Sequence, residues 1–139
     1  MVEQVTQVDD GLVEAMARLI PQLSPTRPAP TRDDLDALAR EQTLLVTRDG
    51  DGIVGALTLV LYRTTRLRAR IEDVVVDGEA RGRGVGESLV REALRRAAEA
   101  GAGTVELNSR PGREAANRLY RRLGFELHDT NSYRLELGS

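Results

Sequence analysis

The chain has 139 residues, with 20 basic and 22 acidic side chains for a formal net charge of −2; that length suits one domain with a sizeable core. The absence of cysteine excludes disulfide scaffolds, thiolate metal sites and cysteine nucleophiles, and the single histidine, His128, excludes multi-histidine metal centres. All 20 basic residues are arginine, which removes P-loop and lysine Schiff-base chemistry.

Val2–Thr6 alternates and reads as a short strand. Asp9 or Asp10 caps a helix running towards Leu23, with Leu12, Val13, Met16, Leu19 and Ile20 as its apolar stripe. Pro21, Pro25, Pro28 and Pro30 break helical geometry, so 21–30 reads as a loop. Thr31, with Asp34 three residues on, resembles a capping box and opens a helix to about Glu41. Thr43–Arg48 and Ile53–Tyr62 read as antiparallel strands around the turn Asp49-Gly50-Asp51-Gly52, and Ala69–Asp77 as a third. Glu87–Ala100 is a helix striped by Leu89, Val90, Ala93, Leu94 and Ala97, ended by Gly101. Thr104–Ser109 is a strand. Pro111-Gly112 opens a last helix to about Leu123, stopped by Gly124. Phe125–His128 and Tyr133–Leu137 read as a closing hairpin around Asp129-Thr130-Asn131.

The expected fold is therefore α/β, a single domain over 1–139. It has a mixed sheet of six to seven strands, antiparallel at first, then a central right-handed parallel β-α-β unit, and about four helices. Residues 1–62 sum to −5 and residues 63–139 to +3. The basic half suits an anionic ligand, or is a chance asymmetry. The overall charge does not suggest a nucleic-acid partner. No apolar run reaches the ~20 residues of a membrane span. Met-Val-Glu-Gln lacks the basic and apolar regions of a signal peptide, so a cytoplasmic protein without membrane partners is expected.

The most informative segment is Ile71–Gly86. A strand ends, and glycines 82, 84 and 86 open a helix. Glycine turns tightly and lets a ligand approach the backbone. A helix start offers unpaired N–H groups and about half a positive charge, an anion cradle suited to pyrophosphate. Arg81 and Arg83 add charge. A ligand-free strand-to-helix turn has the same glycines. His128 reads as structural. Asp33, Asp34 and Asp36 begin a helix, where acids stabilise the dipole, so no metal site is expected.

Arg81, Gly84 and Gly86 resemble the Arg/Gln-x-x-Gly-x-Gly/Ala signature of the GNAT superfamily of acetyl-CoA-dependent N-acetyltransferases. Ile71-Glu-Asp-Val-Val-Val-Asp77 is similar to the family's central strand, and Ala116-Asn-Arg-Leu-Tyr-Arg-Arg-Leu-Gly-Phe125 to its late helix. The resemblance covers 43–139, and element order covers the rest. It implies a sheet splayed between 71–77 and 104–109, with acetyl-CoA as acyl donor and no metal. Backbone groups of Val74, Val75 and Val76 then take the pantetheine arm as an extra strand would. The amides of Arg81, Gly82, Arg83, Gly84, Val85, Gly86 and Glu87, with the Ser88 hydroxyl, hold the pyrophosphate. Asn108 faces the site. Tyr120 matches the family's position for protonating the leaving thiolate, and also reads as a core aromatic. Glu72 is the candidate base for the attacking amine, with Asp73 or a water chain as alternatives. The family's usual asparagine falls at Arg113, leaving Asn117 or Arg113 to replace it.

The expected activity is direct acetyl transfer to a primary amine of a small molecule or protein, with the acceptor and a second copy of the chain as partners. A non-catalytic acyl-CoA-sensing module is the alternative. A dinucleotide-binding domain is a third reading, since Gly82-x-Gly84 and Glu106 loosely imitate that fingerprint.

Overall fold

The computed structural model describes residues 1–50 and 52–138. Met1–Asn108 form one compact unit, and the chain from Ser109 onward forms a second.

The first unit runs β1 (Val2–Gln4), α1 (Asp10–Leu23), α2 (Arg32–Glu41), β2 (Thr43–Asp49), β3 (Gly52–Arg63), β4 (Leu67–Val76), α3 (Val85–Ala100) and β5 (Val105–Glu106). The five strands lie in chain order in one sheet. β1 to β4 pair antiparallel and β4 pairs with β5 in parallel, so the crossover through α3 is the expected β-α-β unit. The parallel arrangement that a dinucleotide-binding domain needs is confined to that one pair.

Local signals set the helix ends. The Asp9 carboxylate accepts from the Leu12 amide at 2.9 Å and caps α1. Thr31 and Asp34 form the full capping box at 3.1 and 2.9 Å, opening α2. Gly101, at φ 92°, closes α3. Leu12, Met16, Leu19 and Ile20 of α1 and Leu35 of α2 pack with Leu44, Val46, Ile53, Ala56 and Val75 of the sheet. Each of these side chains larger than alanine contributes about 1.5–3 kcal/mol of transfer free energy. Leu89, Val90, Ala93 and Ala97 of α3 are also buried, and α3 lies against β2, β3 and β4.

Two irregularities shape the sheet. β3 gains a residue against β2 beside Thr47, and β4 gains one against β3 between Glu72 and Val75. At the second bulge Asp73 has φ 53°, the only described non-glycine residue with a positive φ.

The structure corrects several expectations. α1 runs to Leu23 as expected, and it is the loop expected from Pro21 that begins later, at Ser24, because Pro21 is tolerated in the exposed last turn of the helix. The turn at 49–52 includes Asp51, which lies outside the described residues; on either side of it Asp49 pairs with Gly52. The strand expected over Thr104–Ser109 shortens to Val105–Glu106. The sheet accordingly has five strands among the described residues.

The second unit contains α4 (Glu114–Arg122), ended at Gly124 with φ 102°. The closing hairpin is not formed among the described residues. Leu127, Tyr133, Leu135 and Leu137 are 82–93% exposed. The commonest three-residue hairpin loop ends on a residue in the left-handed region, and no residue of 129–132 has a positive φ. An isolated two-stranded ribbon is also marginal in water. No described helix is long and apolar enough to cross a membrane.

Candidate active site

β4 has two different edges. Ala69 and Arg70 pair with Val105 and Glu106, and there the parallel pairing ends. The Asp77 amide donates to the Val54 carbonyl on the β3 side at 2.8 Å. Alternation along the strand then turns the peptide groups of Val76 to the opposite edge, while Val74 lies inside the bulge, where the alternation is broken. No described strand covers that edge. Val75 instead pairs with Ala56 and buries its side chain in the core. Of the three valines expected to meet a ligand, Val76 thus turns its peptide groups to the edge that no described strand covers, and Val75 does not.

The chain then makes a single 3-10 turn, Gly78–Ala80, before α3. α1 holds this turn in place. Asp77 accepts from the Glu79 amide at 3.3 Å and from Arg18 Nε at 3.1 Å. The Glu79 amide first, then Arg18, keep its carboxyl below the usual carboxylate range. Arg18 also donates to the Ile53 carbonyl at 2.6 Å, and Gln22 Oε1 accepts from the Gly78 amide at 2.9 Å. Arg18 and Gln22 carry no local sequence signal for this task; only a four-residue spacing on one face of α1 hints at it.

Gly82 and Gly84 follow with φ 82° and 79°. No side chain caps α3. The first helical bond is Ser88 N–H to the Gly84 carbonyl at 3.0 Å, so the amides of Val85 and Gly86 have no intrahelical partner. A Cβ built on Gly82 or Gly84 would meet no atom within 4 Å, so the space beside these amides is open. Arg83 is engaged, donating to Asp49 at 2.8 Å and to the Glu79 carbonyl at 3.2 Å. Arg81 is exposed. Ser88 is exposed, and Glu87 pairs with Arg91 at 2.9 Å.

Glu72 stands opposite Thr58, as Val75 stands opposite Ala56. It therefore lies on the sheet face that α1 and α2 cover. It is half exposed and 3.9 Å from Arg70, whose guanidinium also meets Glu106 at 3.7 Å. Arg68 meets Glu106 at 2.6 Å and lies over the Tyr62 ring at 5.5 Å. The arginines of β4 are thus joined in a charged row with Glu106 and Glu72. Asp73 pairs with Arg27 of the α1–α2 loop at 3.0 Å.

In the second unit Tyr120 is 7% exposed and meets Phe125 edge-to-face, with centroids 5.9 Å apart. Burial raises its phenol pKa; the Arg113 charge pulls the other way and does not win. Asn117 donates its amide to the Arg110 carbonyl at 2.9 Å and so braces the start of α4. Arg113 caps α4 through its backbone, without a side-chain cap bond. Asn108 is exposed at the end of the first unit.

The acetyltransferase (GNAT) family matches residues 12–125. Glucosamine 6-phosphate N-acetyltransferase 1 of Oryza sativa subsp. japonica is 35% identical over 105 residues, covering 67% of this chain and 64% of that protein. The match thus spans just under two thirds of that relative's length. An acetyltransferase of Trypanosoma brucei superposes with a TM-score of 0.77 at 25% identity, covering 99% of this chain and 100% of that one. The glucosamine-6-phosphate N-acetyltransferase of Arabidopsis thaliana does so with 0.78 at 15% identity, covering 97% and 98%, a likeness of fold alone.

Proposed function

Because the chain belongs to the GNAT acetyltransferase family, we propose that it moves the acetyl group of acetyl-CoA directly onto a primary amine. The observation that carries the reading is the start of α3, where two positive-φ glycines precede the Val85 and Gly86 amides, which have no helical partner. The open space at Gly82 and Gly84 fits a pyrophosphate against those amides, where the helix dipole favours negative charge. Bound there, acetyl-CoA supplies an activated thioester.

The chain's own groups do the rest. Amides of residues 81–87, with the Ser88 hydroxyl, hold the phosphates. The peptide groups of Val74 and Val76 hold the pantetheine arm as an added strand. An alkyl ammonium with pKa near ~10.4 must lose a proton before it attacks. Glu72, Asp73 or a water held by them receives that proton. Tyr120 gives one to the departing thiolate; burial keeps the phenol protonated for the task, and a thiol near pKa ~8.5 needs only modest help. With no cysteine in the chain, transfer runs without a cysteine acyl-enzyme. Residues 1–139 act as one acetyltransferase domain in this reading. The rice relative is named for glucosamine 6-phosphate, so an amino-sugar phosphate is the first acceptor to try.

The test is a melting experiment. At 100 times its Kd a ligand adds about 2.7 kcal/mol of stability. Acetyl-CoA should raise the melting temperature clearly, and NAD little or not at all. The reverse ranking would overturn the reading.

A further inference from the structure

We propose that Gly55 is a positioning residue for the acyl donor: by lacking a side chain it sets how closely α3 seats on β3, and so where the Val85–Glu87 amides stand. The inference rests on the reading of that helix start as the donor's pyrophosphate site.

Gly55 is buried near the start of β3, opposite Thr47 on β2 and Val76 on β4. Its φ is not in the left-handed region, so backbone conformation does not require glycine there. Space does. A Cβ would stand 2.7 Å from Val85 Cγ1, 3.1 Å from Leu89 Cδ1 and 3.4 Å from the Val75 carbonyl oxygen. Contacts this short do not persist, so a neighbour must move. Leu89 is 0% exposed and closely surrounded. Val85 is β-branched and stiff about χ1, so it cannot swing aside without a full change of rotamer.

The compliant part is the loop. Val85 is the first residue of α3, and Gly84 and Gly82 before it have open space around them. Leu89, Val90, Ala93 and Ala97 anchor the rest of the helix. A methyl group at position 55 therefore lifts the first turn of α3 away from the sheet. That displaces the amides that would meet the phosphates, whose hydrogen bonds weaken steeply with distance and angle.

The experiment compares the full chain with Gly55→Ala, Val85→Ala and the double variant. Calorimetric titration with CoA is run well below each variant's melting temperature, which is recorded separately. Gly55→Ala should bind CoA at least about tenfold more weakly, ~1.4 kcal/mol. The double variant, with the Val85 methyls gone, should return to within about threefold of Val85→Ala. A merely structural glycine would lower the melting temperature and leave the Kd of the folded protein alone. Wild-type affinity in Gly55→Ala, or a double variant no tighter than Gly55→Ala, would overturn the proposal while leaving the donor site in place. If Gly55→Ala does not fold, Val85→Ile, which crowds the same gap from the helix side, takes its place: weaker CoA binding than wild type supports the proposal and wild-type affinity overturns it. A wild-type chain that does not bind CoA would remove the donor reading itself, and this proposal with it.

Discussion

Replacing Gly84 by Asp and, separately, by Asn isolates the electrostatics of the cradle. Both residues place a Cβ at φ 79°, where no atom lies within 4 Å. Neither clashes, so the folding cost is conformational. It is about 1–2 kcal/mol for an ordinary L residue in left-handed geometry, and Asn and Asp are among the residues that visit it. The two variants should therefore melt within a degree or two of each other, both a few degrees below wild type. They differ by one charge. A carboxylate about 5 Å from a phosphate charge costs about 3 kcal/mol at an effective dielectric constant of about 20. That is on the order of 100-fold in affinity. Because the loop is exposed, salt screens the effect over about 8 Å at physiological ionic strength, and the gap between the variants should narrow as salt rises. CoA titration calorimetry at low and physiological salt is the assay. Equal Kd values for Asp and Asn at low salt would refute the placement of the pyrophosphate at this helix start.

Tyr120→Phe keeps the ring and its edge-to-face contact with Phe125, so stability and CoA affinity should change little. Single-turnover rates should fall by about 10²–10⁴, towards the low end because the thiolate leaves tolerably unaided; an undiminished rate on a good acceptor would end the acid assignment. Since burial raises the Tyr120 pKa, its contribution to stability is complete below the ordinary phenol value of ~10 and is lost as pH climbs through the raised one. Alkaline denaturation curves of wild type and Tyr120→Phe should therefore diverge only above that value. On α3, Arg95 and then Arg96 hold Glu92 down from 4.5 to about 2. Its stabilisation is present above 4.5 and is lost as pH falls towards about 2, so Glu92→Gln should flatten the acid limb of the stability profile.

The helix caps and the glycine turn before α3 were legible because their causes are local. Thr31 and Asp34 bond each other within one turn, and Gly82 and Gly84 are demanded by their own φ angles. Gly55 was illegible for the opposite reason. Nothing around it in sequence asks for glycine; the requirement comes from Val85, thirty residues away. Arg18 and Gln22 read as the polar face of an amphipathic helix, and only the fold turns them towards Asp77 and Gly78. The alternation at Tyr133–Leu137 is a sound strand pattern, but a strand also needs a partner, and the described residues supply none. The register of β4 was half legible. Its apolar positions marked a strand, while the bulge at Asp73 depends on β3 and fixes which face Glu72 takes.

Release of free thiol from acetyl-CoA, followed with glucosamine 6-phosphate and a panel of primary amines, tests acetyl transfer most directly. Thiol should appear in step with N-acetylated product, identified by mass spectrometry, for at least one amine and not without it. CoA binding with no thiol release above the protein-free rate for any amine would contradict transfer and leave an acyl-CoA-binding module in its place.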